Sequence, residues 1–344
     1  MTDTLHDIAH KMVAPGKGLL AADESTGTIK KRFDAINTVS TEDTRRDYRE
    51  MLFRTDEAMR DYISGVILFD ETIRQNAQDG TPLVDIIQAA GAIPGIKVDA
   101  GAKPLAGKPG EKVTEGLDGL RERFADYHTL GARFAKWRAV IDIGRAGDTT
   151  IPSYDCIQAN AHALARYAAL AQEQGIVPIV EPEVLMDGDH DIDTCYRATQ
   201  WILKELYQQL FYAGVDLEGS ILKPNMVIAG KLCPTQASAE EVAEKTVKVL
   251  KACVPTAVPG IVFLSGGQSD YDATAHLNLM NASYDLPWAL SFSYGRALQA
   301  APQAAWGGDN NNWSKGQAAF LHRARMNSLA ATGNWTDQVE KDAA

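Results

Sequence analysis

Residues 219–226 read GSILKPNM, and residues 176–183 read IVPIVEPE. Each run is nearly continuously apolar until charge enters towards its C-terminal end. A strand buried on both faces of a parallel sheet reads this way. Six further runs share the form: 18–23 (GLLAAD), 65–70 (GVILFD), 94–99 (PGIKVD), 132–140 (ARFAKWRAV), 260–266 (GIVFLSG) and 288–295 (WALSFSYG). Helical patterns separate them. Residues 191–213 place Ile192, Cys195, Thr199, Ile202, Leu206 and Leu210 three or four apart, then Gly214. Residues 153–174 carry Ile157, Leu164, Ala168 and Ala171 on one face. Ser238 and Glu241 form a capping-box start for a helix to Cys253, and 117–130 ends at Gly131. Strand and helix alternate eight times with no Pro-, Gly- or Ser-rich linker. The expected fold is α/β: one (β/α)8 barrel domain over residues 1–344. Its strands fall within about 18–295, with helical additions at the N-terminus and over 296–344. No GxGxxG follows the first run, which disfavours a doubly wound dinucleotide fold.

A chain of 344 residues would by length alone suggest two domains, but one barrel with insertions also fits. Hydrophobic residues make up 45%, too many for a disordered chain. No run of 18 apolar residues occurs, so no membrane helix is expected. The polar N-terminus lacks a signal-peptide core, and a cytoplasmic address follows as the default. With 45 acidic and 34 basic residues the net charge is −11. That disfavours a nucleic-acid partner, although it says nothing about one pocket. Cys156, Cys195, Cys233 and Cys253 form no CxxC pair and read as free packing thiols.

In a barrel, chemistry collects at the C-terminal ends of the strands. There this sequence places Asp23 and Ser25, Asp70 and Glu71, Lys97 and Asp99, Lys136 and Arg138, Glu181 and Glu183, and Lys223. After the last two runs come Ser265, Gly266 and Gly267, then Ser293, Gly295 and Arg296. Pairs two apart share a face, so Lys136 goes with Arg138 and Glu181 with Glu183. Internal ion pairs explain any one such pair. They explain the whole set poorly, because burying each ion costs several kcal/mol. Lys223 is the most informative. Burial and neighbouring cations such as Lys136 are expected to depress its pKa, and a free amine forms Schiff bases with carbonyls. The plainer alternative pairs it with Glu181 or Glu183. The Ser-Gly-Gly and Ser-Tyr-Gly-Arg segments suit a phosphate. Ser25, Lys97 and Arg138 could form a second anion site across the mouth. No metal is expected. His6 and His10 read as a solvated helix face, and Gly188-Asp189-His190-Asp191 as a turn and helix cap.

The segments LAADESTGTIKKR, GVILFDET, GIKVDAG, FAKWRAV, IVPIVEPEVL, LEGSILKPNM, FLSGGQS and PWALSFSYGRALQ, in this order, resemble class I fructose-1,6-bisphosphate aldolase. The likeness covers about nine-tenths of the chain. It implies a metal-free (β/α)8 enzyme, usually a homotetramer. Such an enzyme cleaves fructose 1,6-bisphosphate reversibly to dihydroxyacetone phosphate and glyceraldehyde 3-phosphate. It implies Lys223 as the Schiff-base lysine, Glu181 as acid/base for carbinolamine dehydration, and Glu183 as support. Asp23 would assist proton removal from the C4 hydroxyl, and Lys136 would stand near the imine. Arg32, Ser265, Gly266, Gly267, Ser293, Gly295 and Arg296 match positions holding the C1 phosphate or the bisphosphate. Ser25 and Lys97 match the C6-phosphate side, and Arg138 lines the mouth. Thr28 stands where the family often has serine. The last tyrosine is Tyr294, whereas many animal members end in a tyrosine thought to assist C3 proton transfer. Alternatives are another Schiff-base barrel (a transaldolase or deoxyribose-phosphate aldolase), a metal-dependent barrel lyase, and a non-catalytic scaffold.

Overall fold

The computed structural model describes residues 3–342. Eight parallel strands close into a barrel: Gly18–Ala22, Ile63–Leu68, Ile93–Lys97, Phe134–Ile141, Val177–Val184, Ile221–Leu222, Gly260–Phe263 and Ala289–Tyr294. Each pairs with its neighbours in sequence, and the eighth closes on the first. The (β/α)8 expectation is thus met. The fourth and fifth strands pair over their full lengths, setting Arg138 beside Glu181 and Val140 beside Glu183.

Strand alternation sorts the residues into two apolar layers and one polar one. Leu20, Ala22, Ala135, Trp137, Ala139 and Val180 face out and join the layer beneath the helices. Leu19, Ala21, Ile67, Phe134, Val177, Ile179, Ile221 and Val262 form a separate inner cluster. Ile8, Ala9, Met12 and Val13 close that cluster from below. Most of these belong to the helix Leu5–Met12, started by a Thr4–Asp7 capping box. Further along the same inward rows, hydrocarbon gives way to charge. Phe134 is followed by Lys136 and Arg138, and Ile179 by Glu181 and Glu183, all four lining a cavity. The inner layer is tight: a Cβ on Gly95 would lie 2.3 Å from the Phe134 ring.

Boundaries shift where backbone pairing ends before the apolar pattern. Within 219–226 only Ile221–Leu222 is strand, although the Lys223 N–H still donates to Val180 O at 2.9 Å. The second strand begins at Ile63, and Asp70 already opens the short helix Asp70–Ile73. The expected helices are Leu120–Thr129, Tyr154–Glu173, Ile192–Tyr212 and Ala239–Cys253. Ser238 caps the last, accepting from Glu241 N–H. The Glu241 carboxylate stands 3.5 Å from Lys245, so half of the expected box is present. Arg296–Trp306, Trp313–Ala331 and Asp337–Asp342 follow the barrel.

Candidate active site

A cavity of about 380 Å³ opens among the C-terminal ends of the strands. Fourteen of the fifteen residues that the resemblance assigns to the site line it; Gly267 does not. Gly267 serves the site from behind: its φ is +76°, and a Cβ there would lie 2.2 Å from Met186. Six cations (Arg32, Lys97, Lys136, Arg138, Lys223, Arg296) face five carboxylates (Asp23, Glu24, Asp99, Glu181, Glu183). A chain with a charge of −11 therefore carries a cavity lining of formal charge +1.

The centre is a chain of buried ions. Lys136 Nζ lies 2.7 Å from Asp23 and 3.1 Å from Glu181 Oε2. Lys223 Nζ lies 3.2 Å from Glu181 Oε1. Lys136, Glu181 and Lys223 are each at most 4% exposed. Burial alone would raise the Asp23 carboxyl, but Lys136 and Lys223 outweigh it and hold its pKa well below the usual range. Burial likewise works against Lys136, and Asp23 and Glu181 reverse it, so its pKa is raised. Glu181 is lowered, the cost of burial being outweighed by Lys136 and Lys223. Three of these four groups are thus held in their charged forms.

The rim pairs its own charges. Arg138 binds Glu183, Arg32 binds Glu24, and Lys97 lies 3.0 Å from Asp99. Among the described residues, Arg296 alone of the six cations has no carboxylate partner. It opens the helix Arg296–Trp306, with Gly295 at the N-cap, so unpaired first-turn N–H groups and an unpaired guanidinium meet there. Among the described residues, Ser293 Oγ is buried without a hydrogen-bond partner. Ser25 caps the helix Thr26–Asp34, and Thr28 Oγ1 lies 3.1 Å from its hydroxyl, so threonine keeps that polar contact.

Other candidates fall outside the cavity. Asp70 pairs with Arg74 and accepts from Tyr127, and Glu71 binds Arg45. Those carboxylates follow the plain ion-pair reading. His6 binds Asp216 at 2.5 Å rather than sharing a ligand with His10. Asp191 caps its helix, accepting from Thr194 N–H at 2.7 Å. Burial pushes the Cys156 thiol up to about 12 and Cys195 up to about 11, which suits packing thiols. Tyr294 is fully buried, its hydroxyl donating to Ala273 O at 2.9 Å, and takes no part in the cavity. Glu24 went unread as a site residue. Its signal was adjacency to Asp23 at the end of an apolar run.

The family model for class-I fructose-bisphosphate aldolase matches residues 4–344. The chain is 60% identical to the probable fructose-bisphosphate aldolase class 1 of Xanthomonas campestris pv. campestris, covering 97% of this chain and 98% of that one. It is 52% identical to the fructose-bisphosphate aldolase of Echinococcus multilocularis, covering 98% and 93%. The solved structure of the Plasmodium falciparum fructose-bisphosphate aldolase superposes with a TM-score of 0.94 at 48% identity, covering 96% and 95%. The chain belongs to the class I fructose-bisphosphate aldolases, metal-independent lyases that cleave fructose 1,6-bisphosphate reversibly through a lysine Schiff base.

Proposed function

We propose that Lys223 is the lysine that forms the Schiff base. One observation carries this reading: the Glu181 carboxylate bridges two buried lysines, one oxygen on each. The Lys223 amine gives its proton to Glu181 and adds to the ketose C2 carbonyl. The carbinolamine hydroxyl takes a proton from Glu181 and leaves as water, giving the protonated imine. Asp23 then accepts the C4 hydroxyl proton. The C3–C4 bond breaks, its electrons enter the iminium as an enamine, and the aldehyde departs. Lys136 stays cationic between Asp23 and Glu181 and balances both carboxylates through these transfers. Glu183 holds Arg138 at the rim.

Arg296, Gly295, Ser293, Ser265 and Gly266 hold one phosphate, with Gly267 shaping the loop behind. Support comes from the unpartnered Ser293 hydroxyl and Arg296 guanidinium at a helix N-terminus. Ser25, Lys97 and Arg138, with Arg32 beside them, receive the other end of the sugar. Sugar phosphates are the family's ligands. In this reading the protein is a single-domain, cytoplasmic homotetramer with no cofactor beyond the covalent imine, and neither nucleic acid nor membrane is a partner. Trp201 and Tyr212, eleven residues apart on one helix face and both exposed, suit self-association.

Incubation with dihydroxyacetone phosphate and borohydride, followed by peptide mapping, tests the centre. The expected adduct lies on Lys223; an adduct elsewhere, or none, overturns the reading.

A further inference from the structure

Asp23 stands one residue beyond the first strand, Gly18–Ala22. Pairing with the eighth strand stops at Leu20–Tyr294, because the chain turns at Gly295 into the helix Arg296–Trp306. The backbone around Asp23 therefore leaves the sheet with carbonyls that the eighth strand does not serve. Buried carbonyls need donors, and here two side chains supply them. Gln299 Nε2 donates to Ala21 O at 2.6 Å and to Glu24 Oε1 at 2.7 Å. Arg49, on the helix Glu42–Phe53, donates from Nη2 to Glu24 O at 2.9 Å.

Gln299 and Arg49 are 0% and 1% exposed, and neither lines the cavity. Nor are they fully satisfied. Arg49 Nε and Nη1, Gln299 Oε1 and Glu24 Oε2 are buried without hydrogen-bond partners among the described residues. The nearest opposite charges to Arg49 are Glu24 at 3.8 Å and Glu71 at 3.6 Å. Buried ions with loose partners are a poor source of stability; apolar side chains of similar size would pack there at less cost. What these two residues do supply is a fixed position for the backbone on both sides of Asp23.

We propose that Arg49 and Gln299 are positioning residues for Asp23, gripping the chain at Glu24 and at Ala21 so that its carboxylate stays on Lys136. The inference rests on Asp23 as the acceptor of the C4 hydroxyl proton. It therefore concerns carbon–carbon cleavage and not capture of the ketone by Lys223. A shift of the order of 1 Å in such a group costs about 10²-fold in rate.

The test compares Gln299→Leu, Arg49→Met and Arg49→Lys with Asp23→Asn in the full-length enzyme. Two rates are measured: cleavage of fructose 1,6-bisphosphate, and borohydride trapping of dihydroxyacetone phosphate on Lys223. In Gln299→Leu and Arg49→Met, kcat for cleavage should fall about 10²-fold with KM little changed and trapping at the wild-type rate. Arg49→Lys, which keeps a donor, should recover part of kcat. Added to Asp23→Asn, either substitution should cost little more, because both act through the same carboxylate. Equal loss of trapping and cleavage, or full additivity with Asp23→Asn, overturns the proposal. If Arg49→Met does not fold, Gln299→Leu and Arg49→Lys decide. Wild-type cleavage by Asp23→Asn removes the role of Asp23 itself. Wild-type cleavage by Gln299→Leu and Arg49→Lys, with Asp23→Asn inactive, removes only the positioning role.

Discussion

Asp23 and Lys136 form a 2.7 Å ion pair that joins the end of the first strand to the middle of the fourth. Removing one partner leaves the other buried and short of a counter-charge, which typically costs about 3–5 kcal/mol. Lys136→Met should lower the urea midpoint of unfolding accordingly, and Lys136→Met with Asp23→Asn should recover part of the loss. An unchanged midpoint in the single variant would show that the pair is uncoupled from folding.

The same pair sets a pH dependence. The folded Asp23 carboxyl sits below its unfolded range. Its stabilisation is therefore complete above the unfolded pKa and is lost as pH falls through that value towards the folded one. The stability advantage of the wild type over Asp23→Asn should be flat from neutral pH downwards and shrink below about pH 4. Denaturation curves across that range measure it; a gap that widened in acid would reverse the sign.

Glu181 serves two lysines, and its loss should affect them differently. Glu181→Gln keeps the shape but removes the base, so imine formation on Lys223 should slow by about 10²- to 10⁴-fold. Lys223→Ala should abolish cleavage outright, and Lys223→Arg should not restore it, since a guanidinium stays protonated. EDTA should leave the native rate unchanged. Single-turnover trapping separates these outcomes, and a Glu181→Gln enzyme that traps at the native rate would reassign the acid/base.

Gly95 faces a ring that leaves it no room. Gly95→Ala sets a methyl 2.3 Å from Phe134 and should cost about 1–3 kcal/mol through overpacking. The double substitution Gly95→Ala/Phe134→Leu should be less unstable than the sum of its parts. Additive denaturation energies would show that the ring moves aside freely.

Much of this was legible because a barrel strand carries two messages in one run. In FAKWRAV the even positions give an inner row of Phe134, Lys136 and Arg138. The odd positions give the outer Ala135, Trp137 and Ala139. The order of runs then dictated the closure. Arg49 was illegible for the opposite reason. In EDTRRDYREMLF, charge at nearly every early position reads as a solvated helix, yet Arg45, Asp47, Arg49 and Glu50 are all buried. The partners of the two arginines, Glu71 at the second strand's end and Glu24 at the first's, lie more than twenty residues away. No local pattern announces such pairing. The helix Leu5–Met12 meets the expected N-terminal helical addition, but its place as the barrel's floor had no local signal: its eight residues bury only Ile8, Ala9 and Met12.

That floor helix has a consequence for how the enzyme meets salt. Hydrocarbon from Ile8, Met12 and the inner strand residues keeps water and ions from reaching the charge chain from beneath. The Asp23–Lys136–Glu181–Lys223 array therefore works at low dielectric, where mobile ions screen weakly. Exposed Arg296 sits instead within reach of an ionic atmosphere only about 10 Å thick at 0.1 M. Raising ionic strength should thus weaken capture of a doubly phosphorylated sugar while leaving the committed chemical step almost untouched, two sensitivities separated by a few turns of one barrel.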